Sequence, residues 1–313
     1  MQAKETAYIR DGYGIGLVEV ADENPNVVAL CADLAESTRT NWFKDKYPDR
    51  YVEIGVAEQN LAALASGMAA AGKIPFIASY AAFSPGRNYE QIRTTAALNE
   101  MPVKVVGCHA GLSVGPDGAT HQMLEDIGLM RMLPNMRVFV PCDIHEARKV
   151  IHAMAANTER PDYIRFGRDK TPVLTDEDTE FIPGKAYLMR EVDDPTVLII
   201  GAGPILANAL TAAEKLEGEG VKVNVLNSHT IKPLDIDTIL AEARKVKLVV
   251  TVEEHQIAGG LGSVVAEFLS QNHPIKMKLI GVEDRFGQSG TPEELYKEYG
   301  LDTDSIIAKI KES

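Results

Sequence analysis

The chain has 313 residues, 45% of them hydrophobic and 25% charged, enough to bury at least one sizeable core and to divide into two domains. A formal net charge of −13 argues against a nucleic-acid or anionic-membrane surface while leaving room for local basic pockets. No apolar run reaches membrane-spanning length, MQAKETAYIRDGYG has no signal-peptide character, and Cys31, Cys108 and Cys142 are spaced as reduced thiols of a cytoplasmic protein.

Residues 6–24 predict a helix with Ile9, Tyr13, Leu17 and Val20 on one side, ended by Asn24-Pro25-Asn26. VVALCADL (27–34) predicts a buried parallel strand. Asp33, Glu36 and Ser37 lie at its far end, where ligands gather in parallel sheets. Residues 36–50 read as a polar loop and YVEIGV as a short strand. GVAEQNLAALASGMAAAG (55–72) follows, apolar and small after Glu58, Gln59 and Asn60, so as a helix it should be buried rather than amphipathic. On this stretch alone, Glu58 reads first as a helix-start carboxylate favoured by the dipole. The competing reading is a buried glutamate whose environment serves a ligand.

IPFIASYAAF (74–83) predicts a strand ending in aromatics, followed by a turn and helix through residue 100. Residues 103–122 run from a strand into a glycine-rich loop holding His109, Asp117 and His121. Its glycines at 111, 115 and 118 let the backbone approach a ligand closely. The histidines lack metal-ligand spacing, so the loop suits polar-substrate binding better than a metal. Helix, strand, helix and strand then alternate to residue 168, with Arg165 and Arg168 ending the last strand. This alternation predicts an α/β class with a doubly wound, mainly parallel sheet over residues 1–170. The polar stretch 171–191 reads as a linker. Four further strands, TVLIIGAG, VKVNVLNS, KLVVTVEE and MKLIGVED, predict a smaller α/β domain over 192–313. GAGPILANA (201–209) has Leu206 where a dinucleotide motif needs its third glycine, and reads as a tight strand-to-helix turn.

The segments ADLAES, EIGVAEQN, SYAAFSPGRNYEQIR, CHAGLSVGPDGATHQMLEDIGLMRMLPNMRVFVPCD and IRFGR, taken together and in order, resemble the C-terminal half of transketolase. GVEDRFGQSGTPEELYKEYGL resembles that family's small C-terminal domain. The resemblance spans essentially the whole chain and implies thiamine diphosphate chemistry. In such enzymes a glutamate shares a proton with the cofactor's aminopyrimidine ring, which activates the thiazolium carbon. A two-carbon ketol unit then passes from a ketose to an aldose. By motif position Glu58 is that glutamate. Phe83 matches the aromatic that stacks on the pyrimidine, and Tyr80 takes a second aromatic place. Asp117 and His121 match residues binding the donor's hydroxyl end. Arg10, Ser37, His109 and Arg168 match those gripping the substrate phosphate, with Arg165 competing for the place of Arg168. Arginine suits phosphate because its planar fork makes paired, charge-assisted bonds.

A full-length transketolase also has an N-terminal half carrying a G-D-G…N signature for the diphosphate and its divalent metal. That signature does not occur in this sequence. The resemblance therefore implies a split enzyme in which this chain is one of two subunits. Mg2+ or another divalent cation would be held by ligands on the N-terminal partner, in a two-plus-two heterotetramer. The small-residue helix would then lie at a subunit interface. Specialised sugar transketolases, 1-deoxyxylulose 5-phosphate synthase, the beta subunits of 2-oxo acid dehydrogenases and a non-catalytic regulatory subunit share the architecture.

Overall fold

A computed structural model describes residues 5–313. The strands, in chain order, are β1 (Thr6–Tyr8), β2 (Val27–Cys31), β3 (Tyr51–Glu53), β4 (Ile74–Tyr80), β5 (Lys104–Cys108), β6 (Arg137–Phe139) and β7 (Asp162–Arg165), followed by β8 (Lys170–Pro172) and β9 (Tyr187–Arg190). The remainder are β10 (Val197–Gly201), β11 (Val223–Asn227), β12 (Thr230–Lys232), β13 (Leu248–Gln256) and β14 (Lys276–Val282).

The larger sheet has the order β12-β6-β7-β5-β4-β2-β3, with only β12 antiparallel to its neighbour. Val27, Ala29, Cys31, Phe76, Ala78, Val106 and Ile164 point to one face, where helices Ile9–Glu23 and Ile144–Ala156 pack. Val28, Leu30, Ile77, Val105 and Tyr163 point to the other, against helix Glu58–Ala70 and the segment Ile92–Ala97. Covering both faces explains why β2 and β5 are buried at every position.

The smaller sheet has the order β14-β13-β10-β11-β9. One of its faces carries Val197, Ile199, Val225 and Val250 under helices Leu206–Glu217 and Thr303–Lys311. The other face, with Leu198, Ile200, Leu226 and Val249, joins the same apolar cluster as Leu30 and Val105. The two sheets thus share a continuous core. All three cysteines are free and buried.

Several local expectations are corrected. Thr6–Tyr8 is a strand, paired antiparallel with β8, so the helix begins only at Ile9. The polar loop 36–50 contains short helices at Ala35–Thr38 and Asn41–Lys46 and a turn at Pro48–Arg50. The helix after Phe83 opens as Tyr89–Gln91 and widens over Ile92–Ala97. The stretch read as a linker holds β9, an antiparallel edge strand of the smaller sheet. Four residues of mixed polarity gave no period to find it by. β12 leaves the second half of the chain and extends the larger sheet. Helix Glu58–Ala70 is not wholly buried. Leu61, Ala62, Ala65 and Ala69 face the core, while Gln59, Asn60, Ala63, Leu64 and Gly67 are exposed. Its small residues conceal which face is which.

Candidate active site

The order β7-β5-β4-β2-β3 lines up the carboxyl ends of five parallel strands. Arg168 follows β7, His109 follows β5, Phe83 follows β4 after its terminal Tyr80, Ser37 follows β2, and Glu58 opens the helix after β3. Residues far apart in sequence therefore meet along one edge, where open parallel sheets bind ligands.

At one end of this edge, Glu58 is 1% exposed, although it occupies the first turn of its helix. Arg87 Nη1 donates to its Oε2 at 2.6 Å, and Asn88 Nδ2 to its backbone carbonyl at 3.0 Å. The same Arg87 guanidinium lies 4.9 Å from the centre of the Phe83 ring. Phe83 and Tyr80 stack with centroids 6.0 Å apart, and His121 meets Phe83 edge-on at 5.5 Å. The turn that carries Arg87 is tight, because any Cβ at Gly86 would collide with the Ala82 carbonyl.

At the other end, the imidazole of His109 lies flat on Tyr80, with centroids 4.0 Å apart. His109 is 2% exposed, and burial, followed by the neighbouring Arg10 and Arg168 guanidinium groups, lowers its pKa to about 3. It is therefore a neutral imidazole at ordinary pH. Burial and the nearby Arg39 lower the pKa of Arg10 too. Arg10 Nη1 donates to the Ser37 carbonyl at 3.3 Å. Arg168 Nη1 donates to Val114 O at 3.0 Å and to Asp117 Oδ1 at 3.3 Å. A cavity of about 360 Å³ opens here between Tyr8, Arg10, Ser113, Arg168 and Thr291.

Comparison with known proteins agrees with this geometry. Residues 5–173 match the family described as transketolase, pyrimidine binding domain, and residues 184–306 that described as transketolase, C-terminal domain. A putative transketolase C-terminal section from Methanocaldococcus jannaschii is 42% identical over 97% of this chain and 95% of its own. The chain belongs to the transketolase family. A 6-deoxy-6-sulfo-D-fructose transketolase subunit from Clostridium sp. is 38% identical over 98% of this chain and 95% of its own. A solved structure described as a split gene transketolase, inactive beta4 tetramer, superposes with TM-score 0.89 at 40% identity over 98% of both chains.

The side chains suit the family's cofactor and substrates. A buried carboxyl group near stacked rings offers a group able to share a proton with a ring nitrogen and the apolar face that a planar aminopyrimidine needs. At the other end, Arg10 Nε and His109 Nδ1 are buried without hydrogen-bond partners, donors that a phosphoryl group would satisfy. Arg165, the competitor for Arg168, is not available. It is 5% exposed, with Nε 2.8 Å from Asp126 Oδ2 and Nη1 donating to Glu254 O. Asp117 pairs with Arg168 at the rim of the loop. His121 pairs with Thr120 Oγ1 at 2.9 Å.

Sequence reasoning missed Arg87 and Ser113. Arg87 was detectable, since it stands four residues after Phe83 in a motif already singled out. Ser113 also lies in a singled-out loop, but its place in the cavity depends on residues from 8–10, 168–169 and 291–292 that the sequence does not bring together.

Proposed function

We propose that this chain is the C-terminal subunit of a thiamine diphosphate-dependent transketolase. It transfers a two-carbon ketol unit from a ketose phosphate to an aldose phosphate once joined by a separate N-terminal subunit. The observation that carries this reading is the buried Glu58 carboxylate linked through Arg87 to Phe83, which packs with Tyr80 and His121 on the way to the Arg10–Arg168 pocket.

The cofactor supplies a nucleophilic carbon able to take up and release a ketol unit. Glu58 shares a proton at the pyrimidine nitrogen from a site closed to solvent. Phe83 and Tyr80 hold the ring by stacking. Arg10, Arg168, Ser37 and neutral His109 bind the sugar phosphate, and Asp117 and His121 bind its hydroxyl end. The diphosphate and its divalent cation fall to the partner, in a two-plus-two assembly. That the related split-gene protein is inactive as a beta4 tetramer supports a need for the second subunit.

Mixing this chain with its N-terminal partner, thiamine diphosphate and Mg2+ should produce ketol transfer from xylulose 5-phosphate to ribose 5-phosphate, absent with either chain alone. Full activity of Glu58→Gln would remove that residue from the mechanism. The Clostridium relative's sulfo-sugar substrate favours a second reading, a specialised sugar transketolase, which a panel of phosphorylated and sulfonated ketoses separates.

A further inference from the structure

The loop between His109 and His121 is held from behind by the smaller sheet's half of the chain. Glu254, near the end of β13, is 6% exposed. Its Oε1 accepts the Ser113 backbone N–H at 2.6 Å, and its Oε2 accepts the Tyr296 hydroxyl at 3.0 Å. Its own carbonyl accepts from Arg165 at 3.1 Å, which ties the strand to β7. Gly111 lies so close that any Cβ there would strike the Glu254 carboxylate, and its φ of +86° also calls for glycine. At the far end of the loop, Gln122 Nε2 donates to Leu112 O, Gly115 O and Gln288 O.

What Glu254 grips is the floor of the small cavity. Ser113 lines it together with Arg10 and Arg168, and its hydroxyl turns back toward Glu254 and Tyr296. The next residue, Val114, gives Arg168 the carbonyl that fixes its guanidinium. Thr291 and Pro292, at the start of the helix that carries Tyr296, form the cavity's far wall. Moving Ser113 N would therefore shift a stretch of the cavity lining and the carbonyl that orients Arg168 together.

We infer that Glu254 is a positioning residue for the phosphate end of the substrate: through Ser113 N it sets where the 113–114 backbone and Arg168 stand. It touches no substrate atom. Small displacements of binding groups are costly because several contacts must be met at once. A charge-assisted bond to a backbone N–H is strong enough to hold the loop in one place. The inference rests on the reading of Arg10, Arg168 and His109 as phosphate-binding groups.

The test compares xylulose 5-phosphate with unphosphorylated xylulose in the assembled two-subunit enzyme. Glu254→Ala should raise KM for the phosphorylated donor about tenfold, the worth of one charge-assisted hydrogen bond. The kcat for both donors and KM for xylulose should stay within about twofold, because only the phosphate end is disturbed. Glu254→Gln keeps an acceptor for Ser113 N–H and should recover most of the loss. Tyr296→Phe, the milder variant should Glu254→Ala not fold, should raise the same KM about two- to threefold through the lost hydroxyl. In the free chain, the rise in Tm produced by inorganic phosphate should shrink in Glu254→Ala. Equal losses on both donors, or an unchanged KM for the phosphorylated one, would overturn the positioning role. A wild-type enzyme indifferent to the donor's phosphate would instead overturn the phosphate-site reading and the inference with it.

Discussion

Two buried carboxylates, Glu58 and Glu254, are held in opposite ways. Glu58 has one charged side-chain partner, Arg87, whose side chain is 48% exposed. Glu254 is held by a backbone N–H and a tyrosine hydroxyl, both fixed in the seam between the sheets. Burial raises the pKa of Glu254, and the Arg165 guanidinium, followed by those donors, opposes the rise. An exposed guanidinium regains water when it leaves, so Glu58 can exchange its partner at small cost. Neutral donors anchored in a buried loop have nowhere to go. On the proposed function, the mouth of the sheet can give up a partner to a ligand, while the seam stays shut.

Breaking each side should give different losses. The largest is catalytic: Glu58→Gln should lower kcat for ketol transfer by about 10²–10⁴-fold, as expected for a proton-sharing group, with melting and assembly unchanged. A smaller loss would make Glu58 no more than a helix-start carboxylate. Next is the seam. Arg165 is buried against Asp126, which also accepts the Tyr163 hydroxyl at 2.7 Å. Arg165→Met should strand that carboxylate and cost about 3–5 kcal/mol in urea unfolding. Adding Asp126→Asn should recover much of the loss. A loss below about 1 kcal/mol would show that the seam is no tighter than an exposed pair.

Most of this mouth was legible in the sequence, and the seam was not. Glu58, Phe83, His109 and Arg168 sit in contiguous motifs, each just past a strand whose apolar run is easy to read. The parallel sheet then brings them together automatically. Glu254 lies 141 residues from Ser113, within a continuous buried strand, and nothing in VVTVEEHQ separates a positioning carboxylate from a strand end. The same limit concealed β9 and β12. Each has only three or four residues, and their pairing is decided by the tertiary seam rather than by local pattern. Arg165 and Arg168 could not be ranked from sequence, since three residues along one strand end separate a buried ion pair from a half-exposed pocket wall.

Acid should probe the seam next. His229, between β11 and β12, is buried against Phe181, and that burial lowers its pKa to about 4 despite nearby Asp235. Between about 4 and the unfolded value near 6.5, the folded chain binds fewer protons than the unfolded one. The stability contributed by His229 is thus complete above pH 6.5 and lost as pH falls toward 4. His229→Gln should reduce the difference in unfolding free energy between pH 7 and pH 4.5 by about 1–3 kcal/mol. An unchanged slope would mean that this part of the seam admits water.

The smallest effect should come from Arg87, and it tests the contrast most directly. Its ion pair with Glu58 is short, at 2.6 Å, yet half of the arginine faces solvent. Exposed pairs contribute about 0–1 kcal/mol, and leaving a buried partner unpaired adds to that. Arg87→Met should therefore destabilise the free chain by only about 1 kcal/mol, with Glu58→Gln restoring it in the double variant. The double-mutant cycle removes contributions either residue makes elsewhere, such as the Arg87 contact with Phe83. A coupling of 3 kcal/mol or more, the range of a fully buried pair, would put Glu58 in the same class as Asp126. Its partner would then be too tightly held to give way to a ligand.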